Sequence, residues 1–192
     1  MSTTFTVFCG PMFSAKTTSL LSVLDRFKYQ GKKVAVFKPT LDDRYNADHI
    51  STHGGWKIPA TCVKLGTDIL EHLANMDENP HVIAVDEAFM IPGVADVLVW
   101  LYRSGYSIVV SSLDLSATGK SFHEIEKMLP WATKIEKLSA VCTVCNKDAF
   151  YTYKKQTGGD EIEVGGVELY EPRCSRCHPI ILNQDRNYAM KD

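Results

Sequence analysis

The sequence predicts an α/β domain with a phosphate-binding loop, a mostly parallel sheet and flanking helices, followed by a small C-terminal zinc-binding β module. Three observations carry that prediction. An apolar strand runs into a loop that ends in Lys16-Thr17 at the head of a helical pattern. A continuous apolar run ends in Asp86-Glu87. Four of the six cysteines form two C-x-x-C pairs near the C-terminus. The expected division is a nucleotide-binding domain over residues 1–140 and a metal-bearing module over 141–192.

Residues 5–8 read as the first buried strand, and the helix that follows the loop places Leu20, Leu21, Leu24 and Phe27 on one face. Strand, tight loop, Lys-Thr and helix together are the layout of a phosphate-binding loop. A loop curled before a helix N-terminus aims backbone N–H groups inward, and the helix dipole adds positive potential for a triphosphate. The expected ATP-binding set is Gly10, Pro11, Met12, Phe13, Ser14, Ala15, Lys16, Thr17 and Thr18. Lys16 reaches the outer phosphates in such a loop, and the Thr17 hydroxyl helps hold Mg²⁺. Ala15 departs from the pattern, which has glycine before the lysine. The methyl group is harmless at negative φ and costs roughly 1–2 kcal/mol in the left-handed region.

Gly31 ends the first helix, and residues 33–38 form the next expected strand, halted by Pro39. A strand, helix and strand in this order make a right-handed crossover, so the sheet is at least partly parallel. Residues 40–60 are polar and glycine-bearing and are expected as a loop, either facing the active site or simply connecting. Residues 57–63 include an extended segment, and 67–75 a helix carrying Ile69, Leu70 and Leu73. Residues 81–87 read as a buried central strand that delivers two carboxylates to the C-terminal edge of the sheet, where open α/β sheets bind ligands. Asp86 there holds Mg²⁺ through water, and Glu87 points one step further into the cleft. The plainer alternative makes the pair a solvated strand end. A helix over 93–104, a buried strand over 106–113, a short helix over 124–129 and a strand over 133–138 complete the pattern, with five or six strands expected. Residues 114–122 are a loop at the ligand edge, either connecting or touching substrate.

Cys142 with Cys145 and Cys174 with Cys177 have the knuckle spacing that lets two pairs of sulfurs enclose one ion tetrahedrally. Zn²⁺ is the expected ion, in a closed structural site; a redox pair and an iron–sulfur site are the rivals, and His178 is an alternative ligand. Residues 149–154 and 167–170 are expected to pair as strands between the two knuckles. So small a region has little core of its own, so the metal supplies much of its folding energy. A net charge of -2 with 23% charged residues gives no electrostatic case for nucleic-acid binding. No apolar run long enough to span a membrane and no signal-peptide pattern is present, which leads to an expected cytoplasmic location.

In series these motifs resemble the type II thymidine kinase family. The resemblance rests on Gly10-Pro-Met-Phe-Ser-Ala-Lys-Thr17, Asp43-Arg44-Tyr45, Ser51-Thr-His-Gly54, Val85-Asp-Glu-Ala88, Ser112-Leu-Asp114 with Phe122, Lys137 through Cys145, Gly165-Gly166 with Tyr170, and Cys174 with Cys177. It implies ATP- and Mg²⁺-dependent phosphorylation of the thymidine 5′-hydroxyl in a homotetramer; the charge and the lack of a spanning apolar run lead separately to the expectation of neither nucleic-acid nor membrane partners. By the same resemblance Glu87 is the general base, Arg44 stabilises the transferring phosphate, and Asp86 acts through the metal. A lasso-shaped loop corresponds to about residues 155–173. Its backbone at Val164, Gly165, Gly166 and Val167 binds the thymine edge, Tyr170 closes the pocket, and Met12 and Leu113 line the base site with Phe122. Phe89 stands where the family commonly has an amide, Met90 where it has phenylalanine, and Ala117 where a large aromatic packs near the base. The expected pocket is therefore looser, filled by Met90, or suited to another deoxynucleoside. A nucleotide-binding protein of weakened turnover on the same fold is the alternative function.

Overall fold

The computed structural model describes residues 3–41, 49–51, 55–156 and 163–181. Strand β1 (Phe5–Cys9) leads through the phosphate loop into α1 (Lys16–Tyr29) and then β2 (Val34–Pro39). Two short strands, β3 (His49–Ser51) and β4 (Lys57–Pro59), precede β5 (Thr61–Val63) and α2 (Gly66–Ala74). Then come β6 (Val82–Val85), a 3₁₀ turn at Ala88–Met90, α3 (Val94–Arg103), β7 (Ser107–Ser112), α4 (His123–Met128) and β8 (Lys134–Lys137). The C-terminal region adds β9 (Ala140–Val141), β10 (Asp148–Ala149), β11 (Tyr151–Lys154) and β12 (Tyr170–Arg173).

Six strands form one sheet in the order β5-β2-β6-β7-β1-β8. Every pairing in it is parallel, as the alternation of strands and helices requires. The central strands are buried on both faces, which is why they read as unbroken apolar runs rather than alternating ones. Val7, Ile83, Val85, Ile108 and Val110 face the layer built from α2, α3 and α4. Their neighbours Phe8, Val82, Ala84 and Val109 face Leu20, Leu21 and Leu24 of α1. Period-two alternation thus feeds two cores, one on each side of the sheet, and holds it rigidly between helical layers. Among the described residues no helix is long and apolar enough to cross a membrane.

Two expectations need correction. The polar stretch 40–60 contains an antiparallel hairpin, with Ile50 opposite Ile58. Both isoleucines are buried against the α1-side core, so the hairpin is pinned by one side chain per strand. The segment 57–63 is extended as expected and supplies two strands, one in this hairpin and one beside β2 on the main sheet. In the C-terminal region, β11 pairs with Tyr170–Arg173 rather than with 167–170. Residues 167–169 are consumed by a turn in which the Leu169 and Tyr170 N–H groups both donate to the Gly166 carbonyl. Burial alternates only from Tyr170 onward, where Tyr170 and Pro172 face inward.

Candidate functional site

The phosphate loop leaves β1 at Gly10, whose φ of +139° lies outside the range of side-chain-bearing residues. A Cβ there would sit 2.4 Å from the Leu138 carbonyl oxygen, so glycine is required twice over. The loop then closes on itself. Ser14 Oγ donates to the Pro11 carbonyl at 2.8 Å, and Lys16 Nζ donates to the same oxygen at 2.6 Å. Burial pushes the Lys16 pKa down, against the pull of Glu87, Asp86 and Asp114. An ammonium held in so dry a place gains strongly from anionic oxygens brought to it. Two further contacts tie the loop to the C-terminal region: Met12 N–H donates to Thr152 Oγ1 at 3.0 Å, and Phe13 packs against the cysteine cluster.

Ala15 adopts φ 60° and ψ 27°, the left-handed conformation in which its methyl group is strained. Replacing it with glycine is therefore expected to stabilise the protein by about 1 kcal/mol, or roughly 2–4 °C in Tm for a chain of this size. Where nucleotide selects this conformation from others, Mg-ATP binding should also tighten, by up to roughly 5–30-fold. Thermal melts and calorimetry on both proteins check this; equal Tm and equal affinity would show that the methyl group imposes no cost.

The two acids after β6 part company. Asp86 is 6% exposed, and its N–H donates to the Phe37 carbonyl, so the carboxylate stays at the sheet edge. Thr17 Oγ1 lies 3.2 Å from both of its oxygens, and the buried Ser111 hydroxyl donates to it from β7. Glu87 takes φ 50°, a left-handed turn that lifts its side chain out of the strand direction and opens the 3₁₀ turn. One carboxylate thus meets the head of α1, while the other enters a cavity.

That cavity, together with the solvent space at its mouth, spans about 490 Å³. Glu87, Met90 and Leu113 line it from the sheet edge, with Met12 from the phosphate loop. Ala117 and Phe122 contribute from the loop after β7, and Val164, Gly165 and Tyr170 from the C-terminal region. Gly166 and Val167 do not line it; Val167 is 66% exposed, and the Gly166 carbonyl is occupied by the turn that follows. Four lining residues escaped the sequence reading as site residues: Phe89, Ser116, Thr152 and Glu163. The Tyr170 hydroxyl donates to the Glu163 carbonyl at 2.9 Å, and Lys154 Nζ meets the Glu163 carboxylate at 2.5 Å, fastening the covering segment. Arg44 lies outside the described residues, as do Asp43, Tyr45, His53 and Gly54.

The Sγ atoms of Cys142, Cys145, Cys174 and Cys177 all lie within 4.8 Å of one another. Tetrahedral zinc with Zn–S near 2.3 Å requires sulfurs about 3.8 Å apart, so the four fit one ion. None of the six cysteines forms a disulfide. Each pair is presented by a tight turn, with Asn146 N–H on the Cys142 carbonyl and His178 N–H on that of Cys174. Burial opposes ionisation of Cys142, but the N–H groups of Cys174, Val144 and Cys145 bring its pKa down to about 6. Cys177, hydrogen-bonded to the Cys174 sulfur and desolvated, is pushed up to about 12. Four sulfurs this close shed their protons together only around a cation. The set is a closed Cys₄ site of the structural zinc type. His178, the alternative ligand, is turned elsewhere: its Nε2 lies 3.0 Å from the Thr152 carbonyl oxygen, with its ring between Tyr151 and Tyr153.

A family model described as thymidine kinase matches residues 3–178, from the residues before β1 to the one after the last cysteine. The match takes in the phosphate loop, the acid pair, the cavity and both cysteine knuckles, and with it the chain belongs to the thymidine kinase family, enzymes of ATP-dependent thymidine phosphorylation, and carries a cysteine cluster of the type II kind.

Proposed function

We propose that the 5′-hydroxyl of thymidine, seated in the cavity beside Glu87, attacks the γ-phosphorus of ATP held by residues 10–18. The new O–P bond forms as the bond to the β-phosphate oxygen breaks, ADP leaves, and the hydroxyl proton passes to the Glu87 carboxylate. Thr17 and Asp86 would hold Mg²⁺, which neutralises charge on the phosphates. Lys16 and Arg44 would stabilise the charge of the transferring group. Val164 and Gly165 would present backbone groups to the thymine edge, with Gly166 and Val167 flanking them, while Met12, Met90, Leu113, Ala117, Phe122 and Tyr170 enclose the base. The observation that carries this reading is the divergence of the acid pair: Asp86 meets Thr17, and Glu87 meets the cavity.

The same reading takes residues 1–140 as the nucleotide-binding domain and 141–192 as the zinc module with its covering loop. It also takes the enzyme as a cytoplasmic homotetramer without membrane partners and, in view of the mild net charge of -2, without nucleic-acid partners. The test is purified protein with ATP, Mg²⁺ and a panel of nucleosides, measuring both binding and 5′-monophosphate formation. Thymidine is expected to be bound and converted to its monophosphate. Preferential conversion of another deoxynucleoside would redirect the substrate assignment to the space beside Ala117. Left-handed Ala15 favours the second reading, a nucleotide-binding protein of weakened turnover; binding without product would establish it.

A further inference from the structure

We infer that Phe89 is the base-stacking residue of the nucleoside site, supplying from the turn after Glu87 the aromatic face that Ala117 cannot. The inference rests on the proposed placement of the nucleoside in the cavity. The Phe89 and Phe122 ring centroids are 4.6 Å apart with the planes tilted by 41°, and both residues line the cavity. Ala117 lines the same cavity with only a methyl group, and Met90, which also lines it, offers a thioether and no aromatic face. The Phe89 backbone is fixed as well: its N–H donates to Ser112 Oγ at 3.1 Å, and that hydroxyl donates to the Leu113 carbonyl at 3.0 Å. One three-residue turn, pinned to β7, therefore follows directly on the Glu87 carboxylate and presents an aromatic ring to the same cavity. A nucleobase is a flat π-system, and an aromatic side chain held by a partner ring offers it a face at little entropic cost.

Stacking accepts any base, so the ring sets affinity across pyrimidine nucleosides without reading their edges. Phe89→Leu is expected to weaken thymidine and 2′-deoxyuridine alike by roughly 5–150-fold, with Mg-ATP affinity unchanged. Because Phe89 also touches the core, Phe89→Met is the second variant: its flexible thioether adapts to the gap the ring leaves, and the aromatic face is removed. It should show the same loss, while Phe89→Tyr retains binding. Calorimetry with thymidine, 2′-deoxyuridine and Mg-ATP on all four proteins reads the result. Thymidine affinity within twofold of the unaltered protein in both Phe89→Leu and Phe89→Met would overturn the role of Phe89. Failure of the unaltered protein to bind either nucleoside would instead overturn the placement of the nucleoside, and the stacking role with it.

Discussion

Glu87→Gln is expected to lower turnover by about 10²–10⁴-fold while leaving Mg-ATP binding intact. Glutamine keeps the size and much of the hydrogen-bonding of the side chain but has no lone pair basic enough to take the hydroxyl proton. The left-handed backbone at residue 87 turns this side chain into the cavity, while Asp86 keeps the contact with Thr17 at the head of α1, so the change leaves that contact in place. Asp86→Asn provides the contrast. Its carboxylate meets Thr17 and Ser111 at the loop, so that change should weaken Mg-ATP binding first. Single-turnover rates and calorimetric affinities separate the two. Turnover by Glu87→Gln equal to that of the unaltered protein would remove Glu87 from the role of base.

The fold was legible where burial extends over a whole element. The runs Val82–Val85 and Ser107–Ser112 are buried at every position, and strands covered on both faces have no other way to look in sequence. The cysteine site was legible for a different reason, since metal-ligand spacing is set by turn geometry and needs no knowledge of the rest of the fold. The β3–β4 hairpin was not, because three-residue strands that bury one isoleucine each show no period. The shift of β12 turned on whether 167–169 continue the turn begun at Gly166, a choice that hydrogen bonds settle and composition does not. Within the site, Gly10 announced its positive φ by being glycine. Phe13, Ala15 and Glu87 adopt positive φ with ordinary side chains, and no residue type signals that. Phe89 stands out in the sequence only as a departure from the resembled family's pattern, and Thr152 only as one member of an expected strand. They reach the cavity only because the 3₁₀ turn and the C-terminal strands converge on it.

Cys174→Ser is expected to abolish metal binding and to unfold the C-terminal region before the parallel sheet. Structural zinc contributes on the order of 10–16 kcal/mol of apparent binding free energy in small zinc modules, and a serine hydroxyl is a poor substitute for the thiolate. Among the described residues, the buried apolar cluster here consists of Ala140, Cys142, Ala149 and Cys174, with Phe13, Cys145 and Cys177 packed against it, so two of the buried residues are ligands themselves. The damage should reach both ligand sites. Thr152, Glu163, Val164, Gly165 and Tyr170 form the cavity wall on this side, and Thr152 accepts the Met12 N–H from the phosphate loop. Nucleoside binding should therefore be lost outright, whereas nucleotide binding, with Lys16, Thr17 and Asp86 still anchored on the sheet, should only weaken. Elemental analysis should find about one zinc per chain in the unaltered protein and none in the variant. Hydrogen exchange should show protection lost over β9–β12 and retained over β1, β6 and β7. Metal-free protein from a chelator-free preparation, with all four thiols freely reactive and β9–β12 still protected, would show that packing rather than metal holds this region.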